Sequence, residues 1–101
     1  MRNGLYFFLL ILISSSYADT DPAEGRNIYE QHCVICHEDG VAGAPKFRSD
    51  NDWQSRIKEK NLDALTRSAI KGLNAMPPKG TCQECSDKDI EAAIACMVPT
   101  S

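Results

Sequence analysis

The stretch Cys33-Val34-Ile35-Cys36-His37 decides how the rest of the chain is read. A second pair with the same spacing, Cys82-Gln83-Glu84-Cys85, stands near the C-terminus, so one four-thiolate site and two separate devices are both open. Three chemistries compete for the first pair. Zinc ribbons combine two such knuckles. A thioredoxin-like dithiol needs a βαβ setting. Covalent haem attachment needs the adjacent histidine, which here is His37. Thiols at i and i+3 share one helical face and can add to the two vinyl groups on one side of a porphyrin. The next residue then lies beneath the ring centre, where an imidazole reaches the iron.

Outward from that motif, the 101 residues leave room for one domain. Residues 1–18 read as a cleaved signal peptide. Arg2 is its positive start, Leu5 to Ile13 an apolar run too short to span a bilayer, and Ser16-Tyr17-Ala18 a small-x-small cleavage site. The mature domain, 19–101, is expected to begin near Asp19 and to be exported to the periplasm, where covalent haem attachment takes place. Loss of Arg2 takes the formal charge from −3 to −4, which gives no support to nucleic-acid binding. A domain this small with 7% aromatic residues is short of core and needs a staple such as a metal, disulfide or cofactor. A haem would fill that middle.

The mature chain reads as all-α. Asp21 as N-cap, Pro22 in the first turn and Glu24 open a helix that runs into the cysteine motif. Residues 38–52 are rich in Gly, Pro and Asp and read as a long loop wrapped around something. Trp53 and Ile57, then Leu62, Leu65, Ala69 and Ile70, predict two short amphipathic helices meeting near Asn61 and ending at Gly72. Pro77 and Pro78 forbid a helix in the segment that follows. Ser86 caps a last helix with the stripe Ile90, Ala93, Ile94 and Met97, stopped by Pro99.

An electron carrier also needs a second axial ligand. His32 directly precedes the motif and is expected to face away from the site, as a surface residue. Met97 belongs to the apolar stripe and reads as core. Met76 lies in "AMPPKG", where packing has little claim on it and two prolines would hold its sulfur with little entropy to lose. Met76 is the expected ligand, opposite His37.

Residues 25–46 ("GRNIYEQHCVICHEDGVAGAPK"), Asp52-Trp53 and residues 72–98 ("GLNAMPPKGTCQECSDKDIEAAIACMV") resemble the bacterial cytochromes c-five, short class I c-type cytochromes. The resemblance covers nearly all of the mature chain. It implies a class I cytochrome c fold around one haem c bound through Cys33 and Cys36, with His37 and Met76 on the iron. It implies that Pro45 offers its carbonyl to the other nitrogen of His37, and that Cys82 and Cys85 form a disulfide; two neighbouring exported thiols should indeed oxidise. It also implies a carrier of single electrons rather than an enzyme. Its partners would be transient redox proteins, possible membrane-bound oxidase or reductase complexes among them, met through a small salt-sensitive interface bordered by Lys46, Lys71 and Lys79. The rivals are a dedicated haem subunit of a larger periplasmic redox enzyme and a zinc-binding structural protein using both cysteine pairs. One departure stands out: where the family generally carries an aromatic residue packed against a glycine matching Gly25, this chain has Cys96, expected to be a free, mostly buried thiol.

Overall fold

The computed structural model describes residues 22–99. The expected signal peptide, the start near Asp19 and the Asp21 cap lie outside the described residues. Helix α1 (Pro22–Ile28) leads into a π-helical turn at Tyr29–Cys33, and the short α2 (Val34–His37) follows directly. The turn closes with the Val34 N–H donating to the Tyr29 carbonyl. Its additional residue rotates the cysteine motif by about 100° relative to α1. The sequence pattern held no sign of this turn.

The predicted pair of helices is present. Helix α3 (Asp50–Glu59) is capped by Ser49 and α4 (Leu62–Lys71) by Asn61, each side chain accepting the N–H three residues on. Gly72 ends α4 with φ +92°. A Cβ there would stand 3.1 Å from the ring nitrogen and Cδ of Pro78, so the bend into the Met76 loop depends on glycine. Helix α5 (Asp87–Met97) starts with a full capping box between Ser86 and Asp89.

All four stripe residues, Ile90, Ala93, Ile94 and Met97, are buried. Burying a side chain such as Ile or Met contributes about 1.5–3 kcal/mol, so this face anchors the fold. It packs mainly across α1 and secondarily against α4. Gly25 permits the crossing, because a Cβ at that position would meet the Ala92 carbonyl oxygen at 2.2 Å. The atoms nearest to that Cβ all belong to Ala92, one helical turn before the Cys96 expected at this crossing. Cys96 is buried with its thiol free, and Arg48 Nε donates to its carbonyl at 3.0 Å. Among the described residues no strand forms and no helix is long and apolar enough to cross a membrane.

Candidate haem site

The shortage of core has a visible counterpart. A cavity of about 460 Å³ opens between α2, the loop after it, α4, α5 and the Met76 loop. That lies within the roughly 300–1,000 Å³ of sites that enclose a small-molecule cofactor. Leu65, Ala69, Ile94 and Met97 form its apolar floor. Cys33, Cys36, His37, Pro45 and Met76 all line it.

His37 is the best-defined group in the site. It is only 7% exposed, and its Nδ1 stands 2.8 Å from the Pro45 carbonyl oxygen. A carbonyl can only accept, so Nδ1 carries the proton and Nε2 keeps its lone pair. No hydrogen bond to Nε2 occurs among the described residues. A buried imidazole with one nitrogen fixed and the other unpartnered in a cavity wall fits a metal ligand. The Trp53 ring lies nearly parallel to the imidazole, with centroids 6.5 Å apart. The Phe47 N–H donates to the His37 carbonyl at 2.7 Å, so the loop grips both the backbone and the ring of this residue.

On the other wall, Met76 is half-buried. Its backbone exchanges two hydrogen bonds with Leu73, at 2.9 and 3.0 Å, and the Lys79 N–H donates to Ala69 O at 2.7 Å. Met97 also lines the cavity, but it is sealed into the core at 2% exposure.

The two cysteine pairs differ in kind. Cys82 and Cys85 are joined by a disulfide with Cα atoms 5.4 Å apart, buried behind the Met76 loop. A disulfide sulfur is no thiolate ligand, so a four-cysteine zinc site has lost half its donors. The same holds for the cluster of His32, Cys82 and Glu84, whose sulfur is already bonded. Cys33 and Cys36 are free, and burial, aided by Cys96 and Cys36, pushes the Cys33 thiol up to about 11. A redox dithiol needs a depressed thiol pKa, so this shift speaks against that reading. A pair of thiols beside a histidine in an apolar cavity fits thioether attachment of a porphyrin.

Two expectations need correcting. His32 is half-buried at the cavity edge rather than on the surface; its carbonyl accepts the Thr81 hydroxyl at 3.2 Å, and Nε2 stands 3.8 Å from Glu84. Of the lysines expected at the border, Lys46, Lys71 and Lys79, none lines the cavity. Lys46 Nζ pairs with Asp52 at 3.1 Å, and Lys79 Nζ turns inward to the Cys85 carbonyl at 2.7 Å. The cations that do line the cavity, Arg56 and Lys60 on and after α3, escaped the sequence reading. A basic residue in the last turn of α3 and another at its C-cap were the available signal.

The cytochrome C oxidase, cbb3-type, subunit III family model matches residues 20–97. Cytochrome c5 of Azotobacter vinelandii is 43% identical over 74 residues, covering 72% of this chain and 89% of its own length. Cytochrome c5 of Ectopseudomonas mendocina is 46% identical over 72 residues, covering 70% and 83%. Among solved structures, a mono-heme ferrocytochrome c from Shewanella putrefaciens has a TM-score of 0.66 at 40% identity, covering 86% of this chain and 100% of that one. A chain from an electron transfer complex of nitrite reductase with cytochrome c has a TM-score of 0.70 at 37% identity, covering 77% and 93%. With this fold, this cavity and these relatives, the chain belongs to the short monohaem class I c-type cytochromes, helical electron carriers built around one covalently bound haem c.

Proposed function

We propose that this protein is a periplasmic carrier of single electrons in which Cys33 and Cys36 hold the haem and His37 and Met76 ligate its iron. When bound, the haem supplies a one-electron ferrous–ferric couple. The observation that carries the reading is His37, buried, lining the cavity, and fixed by Pro45 through Nδ1 while Nε2 has no hydrogen bond among the described residues. The chain's own residues do the rest. Pro45 holds the imidazole tautomer and raises its basicity. Met76 presents a soft thioether that favours the ferrous state. The floor of Leu65, Ala69, Ile94 and Met97 excludes water and raises the potential further. Arg56 and Lys60 offer positive charge to the two carboxylates of a haem. With His37 and Met76 both holding the iron, a bound haem would offer no open place to a substrate.

The exposed part of the cavity wall suits brief docking. Val41 is 50% exposed and Leu73 47%, and both line the cavity, so the contact around it has an apolar part. The similar chain from the complex with nitrite reductase supports a redox protein as the kind of partner, and membrane-bound oxidases or reductases fall in the same class. A second reading, a haem subunit docked within a larger enzyme, is favoured by the oxidase-subunit description of the matching family model. Co-purification separates the two, since a carrier purifies without other subunits.

Mass spectrometry of the exported protein under denaturing conditions tests the attachment and the signal peptide together. The expected mass is that of a chain starting near Asp19 plus one haem. A haem-free mass overturns the reading.

A further inference from the structure

The Pro45 carbonyl that accepts from His37 belongs to the same planar peptide group as the Lys46 N–H. That N–H donates to Asp52 Oδ2 at 3.0 Å. A continuous chain therefore runs from the Asp52 carboxylate, through one peptide unit, to His37 Nδ1. We propose that Asp52 is a positioning residue for the haem iron: its carboxylate polarises the Pro45–Lys46 peptide, strengthens the Pro45 acceptor and so makes His37 a more basic ligand. The inference rests on His37 being that ligand.

The local build keeps this peptide in one orientation. Asp52 sits in the first turn of α3, where the Ser49 cap accepts its N–H at 3.3 Å. The next residue, Trp53, donates Nε1–H to the Lys46 carbonyl at 2.8 Å, and the Ser49 N–H donates to the same oxygen at 3.0 Å. Both polar ends of Lys46 are thus fixed by α3 and its cap, and turning the peptide between Pro45 and Lys46 would break the Lys46 N–H bond to Asp52. Lys46 Nζ also reaches Asp52 Oδ2, at 3.1 Å, and Arg56 donates to the Asp52 carbonyl at 2.6 Å; these cations keep the carboxylate ionised. The lowered pKa of Asp52 has the Lys46 backbone hydrogen bond as its largest cause.

Hydrogen bonds in series polarise one another, and the effect is largest where one end is charged. A stronger acceptor draws the Nδ1 proton outward and gives the imidazole more anionic character, which stabilises ferric iron. Asp52 should therefore hold the reduction potential below the value set by Pro45 alone. Trp53 would share in this only as a clamp.

The test compares two neutralised acids in the holoprotein. Asp52→Asn keeps an acceptor but removes the charge; Glu59→Gln neutralises another acid lining the cavity that has no bond to this peptide. Both are read by redox titration and by the His37 Nδ1–H proton resonance of the ferrous state. Asp52→Asn should raise the potential and shift that resonance towards a weaker hydrogen bond, with the absorption spectrum still low-spin; Glu59→Gln should leave the resonance in place. An unmoved resonance in Asp52→Asn, or an equal move in Glu59→Gln, overturns the relay while leaving His37 as ligand. A wild-type spectrum without a histidine on the iron overturns the functional reading as well. In the unsubstituted holoprotein, a through-hydrogen-bond coupling between the Lys46 amide nitrogen and the Asp52 carboxylate carbon is expected, and its absence also overturns the relay.

Discussion

The two walls of the cavity are built differently. His37 is buried, and its backbone, ring and acceptor peptide are all held, by Phe47, Pro45 and the first turn of α3. Met76 is half-buried in a loop whose Asn74, Ala75, Pro77 and Pro78 are exposed. That loop is held at its ends, by the Gly72 bend and the inward Lys79, with the Leu73–Met76 bonds in its middle. One wall is fixed by packing and the other by a few backbone constraints. Segments with exposed backbone and little burial open first, so the methionine side is the side expected to yield.

Replacing the ligands should show the contrast most strongly. Met76→Ala should keep the haem attached and most of the fold, while losing the oxidised-state sulfur–iron band and lowering the potential. His37→Gly should turn the spectrum high-spin and also loosen the 45–48 loop, seen as faster amide exchange at Phe47. If Met97→Ala reproduces the Met76→Ala spectrum, the assignment of the methionine wall is wrong.

Next in size is Gly72→Ala. A side chain at φ +92°, 3.1 Å from Pro78, should cost about 1–3 kcal/mol in a urea melt, with the loss concentrated in the Met76 loop. Removing the disulfide with Cys82→Ala and Cys85→Ala should cost about 2 kcal/mol or less, because so short a loop carries little chain entropy. Amide exchange should then rise at residues 73–79 more than in α5. A uniform rise would mean that the disulfide supports the whole fold rather than that wall.

On the histidine side, Trp53→Phe keeps a ring beside His37 but deletes the bond to Lys46 O, costing about 1 kcal/mol. The smallest effect is that of acid. Asp52 has its pKa lowered by its bonds to Lys46, so its contribution is present above its unfolded pKa of about 3.9 and is lost as pH falls through the folded value. Asp52→Asn should flatten the fall in urea midpoint below about pH 4.

Much of this was legible in the residues, and the limits have physical causes. The cap at Ser86, the break between two helices near Asn61, the stop at Gly72 and the buried stripe of α5 are local rules, and they appear where the pattern put them. The π-turn at Tyr29–Cys33 is not local: one additional residue per turn is worth its cost only if it aims the motif at the cavity. That the Ala92 carbonyl is what meets Gly25 was not legible, because periodicity gives a face, not how far one helix slides along another. Lys79 turned inward because the Cys85 carbonyl needed a donor, and a sequence does not display an unsatisfied carbonyl. The bond from Asp52 to the Lys46 N–H escaped for the same reason.

The proposed ligand pair is His37 and Met76, which would close both axial positions of one covalently bound haem. The absorption spectrum of the purified holoprotein, recorded oxidised and reduced and then under carbon monoxide, tests it most directly. Low-spin iron is expected in both states, with a far-red sulfur–iron band only in the oxidised state and no change with carbon monoxide. A high-spin spectrum, or ready binding of carbon monoxide by the reduced native protein, would contradict it.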